Sequence, residues 1–129
     1  MASVVALIGL SPPVVTSCLD YLSRRRAWSL RLGVVGTSSP QVMSAARVVE
    51  GAVLARWPKA EVREYLCSSE DVSTLEELAD FIAVCGKAVR EHMPEVYLLA
   101  AGGRKSMTAA AVLIAQLLGA SRVLHVVHR

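Results

Sequence analysis

"LLAAGGRKSMTAAAVLIAQLLGA", residues 98–120, decides the fold of this 129-residue chain. An apolar run ends in Gly102 and Gly103, two cations follow as Arg104 and Lys105, and a long row of small and aliphatic residues comes next. That order predicts a strand, a glycine turn and the start of a helix. Both cations would then stand at a helix amino terminus, where the macrodipole disfavours positive charge, so a bound anion is expected to compensate them.

The same strand-then-helix grammar extends through the chain. Residues 3–10 form a nearly continuous valine-rich run, the pattern of a strand covered on both faces in a parallel sheet. Pro12 and Pro13 open a helix expected to reach Leu22, with Val15, Cys18, Leu19 and Leu22 on one face and Arg24, Arg25 and Arg26 as a solvated carboxyl end. Residues 30–35 read as the second strand. Ser39 then caps a helix with Pro40 in its first turn and Val42, Ala45, Val49 and Val53 at helical spacing. Residues 60–66 alternate, as an edge strand does. Ser73 and Glu76 form a capping-box pattern before a helix whose expected apolar face is Leu75, Leu78, Ile82, Cys85 and Val89. Residues 96–101, 106–118 and 122–127 complete the series as strand, helix and strand. The fold class is therefore α/β, a single Rossmann-like open sheet, mostly parallel, in the order 3-2-1-4-5 with helices on both faces and one domain over residues 1–129. A chain that stops on or just after a strand suits either a minimal domain or one cut from a longer protein.

Composition narrows the function. A net charge of +3 is too mild for an open stripe binding long nucleic acid, so local placement of the cations matters more than their total. Cys18, Cys67 and Cys85 are odd in number and lack a C-x-x-C pair, which reads as reduced thiols in a cytosolic protein rather than a disulfide or zinc framework. The opening residues lack a basic leader and cleavage site, and the apolar run at 107–120 is too short to span a bilayer. The expectation is a soluble protein.

In a sheet of this order, ligands settle beyond the carboxyl ends of strands one and four, where successive helices go to opposite faces. The loops that follow those strands are "GLSPP" and "AAGGRKSM", bringing Gly9 and Ser11 toward Gly102, Gly103, Arg104, Lys105 and Ser106. Glycines admit a phosphate to the backbone, unpaired amides and the dipole favour it, and the cations add countercharge. A third loop, "GTSSP", adds Thr37 and Ser38 as hydroxyl donors to a base or ribose. Better-known nucleotide loops fit less well. The first turn lacks G-x-G-x-x-G and no acid ends strand two, while "GGRKS" places Arg104 where a P-loop needs glycine. Arg122 and His128 share a ribonuclease-like spacing but would sit about 20 Å apart on a strand. His125 and His128, an odd number of residues apart, would point to opposite faces, which suits no metal.

At these residues the sequence resembles the CRISPR-associated Rossmann-fold family, whose domains bind the cyclic oligoadenylates made by type III CRISPR complexes. "ALIGLSPPVVTSCLDYL" resembles the family's first strand and loop, and residues 98–120 resemble its glycine-glycine-arginine-lysine motif and following helix. The resemblance implies a prokaryotic, cytoplasmic homodimer sharing one ring, most often cyclic tetra-adenylate, across a two-fold axis. It implies contacts from Gly9, Leu10, Thr37, Ser38, Gly102, Gly103, Arg104, Ser106 and Met107, with Ser11 and Lys105 as catalytic residues and with no metal or cofactor. The apolar residues spread around the 107–118 helix suit burial against a second copy or within the monomer. Larger family members carry further effector regions for which this chain has no room. Two activities follow: a ring nuclease leaving linear products with 2′,3′-cyclic phosphate ends, which is favoured, or a non-catalytic sensor of the same ring acting through a partner or a missing effector domain.

Overall fold

In the computed structural model, which describes residues 2–8, 12–25, 30–93, 95–100, 105–119 and 122–125, five strands and four helices alternate along the chain. The strands are β1 (Ala2–Leu7), β2 (Leu30–Gly36), β3 (Glu61–Leu66), β4 (Val96–Ala100) and β5 (Arg122–His125). Every pairing is parallel and the order is β3-β2-β1-β4-β5, as the alternation of elements predicts. Residues 126 and 127 of the expected fifth strand lie outside the described residues, as does His128.

The strand pleat sorts the core into two layers. Val5, Leu7, Val35, Tyr65, Val96 and Leu98 face α3 (Leu75–His92) and α4 (Lys105–Leu118), packing on Phe81, Cys85, Val89, Met107 and Ala111. Val4, Ala6, Leu32, Val34 and Leu99 face the opposite way, onto Val15 and Leu19 of α1 (Pro12–Arg25) and Ala46, Val49 and Val53 of α2 (Pro40–Arg56). With both faces covered, the central strands need apolar residues at consecutive positions, which is why β1 reads as an unbroken run.

Local chemistry fixes the helix ends, with two departures from expectation. Ser39 caps α2 as expected, its Oγ accepting from the Val42 amide at 3.2 Å. The capping box of α3 belongs to Thr74 and Glu77, one residue later than the Ser73 and Glu76 pair. Glu77 Oε1 accepts from the amides of both Ser73 and Thr74 at 3.0 Å, and these bonds hold its carboxyl below its ordinary pKa. The buried face of α3 is also rotated: Phe81, Cys85, Ala88, Val89 and His92 are buried, whereas Ile82 is exposed and Leu75, the first helical residue, is 85% exposed.

On α1, Asp20 accepts from Arg24 at 2.9 Å and from Arg56 of α2 at 3.2 Å, tying the carboxyl ends of the two helices together at the surface. Arg26 is outside the described residues. Cys18, Cys67 and Cys85 are free thiols, and no helix among the described residues is long and apolar enough to cross a membrane.

Candidate functional site

Strands β1 and β4 are neighbours, in register from Ser3 opposite Val96 to Ala6 opposite Leu99. The helices that follow them lie on opposite faces of the sheet, α1 on one and α4 on the other. Their carboxyl ends therefore form the switch point at which open parallel sheets hold ligands. Segments 9–11 and 101–104 leave from these ends. Gly9, Leu10, Ser11, Gly102, Gly103 and Arg104 are outside the described residues. Lys105 and Ser106 begin α4, and Met107 is buried in the core beneath that helix start.

The helix starts around this edge carry unbalanced charge. The first turns of α1, α2 and α4 contain no acidic residue, whereas α3 supplies Glu76 and Glu77 to its own. A helix amino terminus bears roughly half a positive charge, which a neighbouring carboxylate normally offsets. Here α3 is offset internally, while α1, α2 and α4 have no acid in their own first turns to do so. Lys105 is the first residue of α4.

The third loop is built more tightly than the sequence suggests. Thr37 is buried, with its Oγ1 3.5 Å from Ser39 Oγ. Ser38 Oγ donates to the Ser68 carbonyl at 3.1 Å, and its amide donates to the Ser69 carbonyl at 3.0 Å. The Ser38 hydroxyl hydrogen is thus spent within the protein, which leaves that oxygen lone pairs with which to accept from a ligand. Gly36 lets this turn approach α2: a Cβ there would lie 2.7 Å from Val42 Cγ1, whereas the Ile8 carbonyl oxygen would stand at an ordinary contact distance of 3.7 Å. Ile8 in turn donates its amide to the Val35 carbonyl at 2.8 Å, immediately before the Gly9 loop.

The support of this loop comes from the segment after β3 and from α3. The Cys67 amide donates to the Gly36 carbonyl at 2.9 Å, and Asp80 Oδ2 of α3 accepts from both the amide and the hydroxyl of Ser68, at 2.9 and 3.0 Å. These are contacts between distant positions in a segment that reads only as a polar loop.

Burial, reinforced by the Asp80 carboxylate, pushes the Cys67 thiol up to about 11, and burial pushes Cys85 up to about 12. Both are protonated at neutral pH. Among the described residues no group of three or more histidine, cysteine or acidic side chains is arranged to hold a metal ion.

A family model described as CRISPR-associated protein NE0113 (Cas_NE0113) matches residues 11–129. The chain is also 32% identical over 120 residues to the CRISPR system ring nuclease SSO2081 of Saccharolobus solfataricus, a match covering 90% of this chain and 66% of that protein. The chain therefore spans about two thirds of that relative's length.

Proposed function

The chain belongs to the CRISPR-associated protein NE0113 family, and from that premise we propose that it binds the cyclic oligoadenylate messenger of type III CRISPR defence and cleaves the ring. The observation that carries this reading is the electrostatic character of the sheet's ligand-binding edge. Three helix starts without acids surround the carboxyl ends of β1, β2 and β4, one of them headed by Lys105. A ring of phosphodiesters supplies the missing negative charge. Likeness to a relative whose name is CRISPR system ring nuclease supports cleavage over sensing alone.

Cyclic tetra-adenylate is the favoured ligand. It is shared by two copies of the chain, because a two-fold ring fits an isologous interface. An exposed apolar stripe on α4 supports that arrangement: Ala109, Leu113 and Leu117 recur at every fourth position, with Leu113 56% and Leu117 77% exposed in a single chain. A helix this apolar on its outer side gains by covering it.

Cleavage is an internal displacement. The ribose 2′-oxygen attacks its own 3′-phosphorus and loses its proton, the bond from phosphorus to the 5′-oxygen breaks, and that oxygen takes up a proton. The product is linear with a 2′,3′-cyclic phosphate. In-line alignment and stabilisation of the charged phosphorane carry most of such catalysis, and neither needs a metal. Ser11 orients the attacking hydroxyl, and Lys105 stabilises the phosphorane or protonates the leaving oxygen. The amides of Gly103 and Arg104 hold the phosphate, with Gly9, Leu10, Thr37, Ser38, Gly102, Ser106 and the backbone of Met107 lining the ring.

Lys105→Ala tests the assignment. Single-turnover cleavage is expected to fall about a hundredfold, the scale of losing one charge-stabilising group, with a much smaller change in ring affinity. Unchanged turnover would remove Lys105 from the mechanism.

A further inference from the structure

We propose that Asp80 is a positioning residue for the ring-binding edge, acting through Ser68 on the turn that ends β2; this rests on the function proposed above. Asp80 lies on α3, the helix whose amino terminus is balanced by its own acids and which therefore offers least to an anion. Its carboxylate nevertheless reaches across to the loop after β3, where one oxygen, Oδ2, accepts from the Ser68 amide at 2.9 Å and from the Ser68 hydroxyl at 3.0 Å. Both donors of Ser68 are consumed, which ties this residue, and with it its carbonyl, to α3. That carbonyl accepts from Ser38 Oγ at 3.1 Å, and the next carbonyl, Ser69, accepts from the Ser38 amide at 3.0 Å. The Cys67 amide closes the brace on the Gly36 carbonyl at 2.9 Å.

Three bonds thus join the two loops at one edge, and a charged side chain anchors them to a rigid helix. Hydrogen bonds to a carboxylate are stronger than neutral ones, so Asp80 is the member whose loss the brace can least absorb. The geometry matters to the ligand because the braced turn follows directly on β2, where the Val35 carbonyl accepts from the amide of Ile8, the residue before Gly9, at 2.8 Å, and where a Cβ on Gly36 would meet Val42 Cγ1 of α2 at 2.7 Å. A loop displaced by a fraction of an ångström misplaces the oxygens that meet a nucleotide. The brace governs how the ring is held and leaves the phosphate chemistry at Lys105 alone, which separates Asp80 from a catalytic residue.

The test compares Asp80→Ala and Asp80→Asn with the parent chain by hydrogen exchange, by cyclic tetra-adenylate affinity and by cleavage at saturating ring. In Asp80→Ala the Cys67 and Ser38 amides should lose protection, ring affinity should weaken about tenfold, the scale of one charge-assisted bond, and saturated cleavage should change little. Asp80→Asn, which keeps an accepting oxygen, should restore most of the affinity. Unchanged exchange at Ser38 and Cys67 in Asp80→Ala would overturn the brace whatever the ligand. Loosened exchange with parental affinity would overturn its role in ring positioning. A parent chain that binds no ring, together with loosened exchange, would instead overturn the functional reading while leaving the brace in place.

Discussion

His92 stands directly against Gly33: a Cβ added to Gly33 would lie 2.9 Å from His92 Cε1 and 3.2 Å from Tyr65 Cε2. The imidazole cannot retreat easily, because its Nδ1 donates to the Ala88 carbonyl at 2.8 Å and the residue is 3% exposed. Tyr65 is held as well, its hydroxyl donating to Glu91 Oε1 at 2.7 Å and its ring meeting His92 edge-on at 5.9 Å. Gly33 also lies on an interior strand, paired on both sides. Gly33→Ala is therefore expected to destabilise the fold by about 1–3 kcal/mol, the usual cost of overpacking. Equilibrium urea unfolding checks this, and an unchanged midpoint would show that the His92 ring yields.

Burial lowers the His92 pKa below its ordinary 6.5, assisted by the charges of Arg31 and Arg63 and opposed by the Ala88 bond and by Glu91. Arg31 Nη2 donates to the Glu91 carbonyl at 3.0 Å, so these groups form one cluster at the end of α3. The unfolded chain then takes up the His92 proton at a higher pH than the folded one. Stability from the neutral imidazole is complete above about 6.5 and is lost as the pH falls toward the folded value. Glu91 and Glu77, both held below their ordinary 4.5, add a second loss at lower pH. Melting temperatures taken from pH 7.5 to 5 should fall, and His92→Gln should flatten the upper part of that fall. Equal slopes in the two proteins would place the pH dependence elsewhere.

The stripe of Ala109, Leu113 and Leu117 is the surface expected to be covered by a second copy. Leu113→Asp places a charge within it and should convert a dimer to a monomer in sedimentation velocity, with an unchanged far-ultraviolet circular dichroism spectrum. Ring affinity should fall with the dimer. A variant that stays dimeric would move the interface off this face of α4.

Much of the architecture was legible from the residues. The valine run of β1, the Ser39-Pro40 helix start and the apolar stretch before Gly102 each carry a local signal, and their alternation fixes a parallel sheet. The capping box slipped because Ser73 and Thr74 are both good caps and Glu76 and Glu77 both acids, so the pattern fits at two adjacent registers. Leu75 and Ile82 misled because periodicity counts apolar residues without knowing which of them meets the sheet. At the candidate edge the start of α4 at Lys105 lies within one residue of the expected position, the glycines before it lie outside the described residues, and family likeness extends over residues 11–129. The Asp80-Ser68-Ser38 brace has no sequence signature, since it joins two loops and a helix that are apart in the chain. The Gly33 and His92 apposition is of the same kind.

The central claim is cleavage of a cyclic oligoadenylate, and the most direct measurement is incubation of the protein with cyclic tri-, tetra- and hexa-adenylate, in EDTA and separately with magnesium, followed by chromatography with mass detection. The account predicts that cyclic tetra-adenylate is converted in EDTA to linear products ending in a 2′,3′-cyclic phosphate. Rings recovered intact under both conditions would contradict it, and tight binding of an intact ring would mark the protein as a sensor.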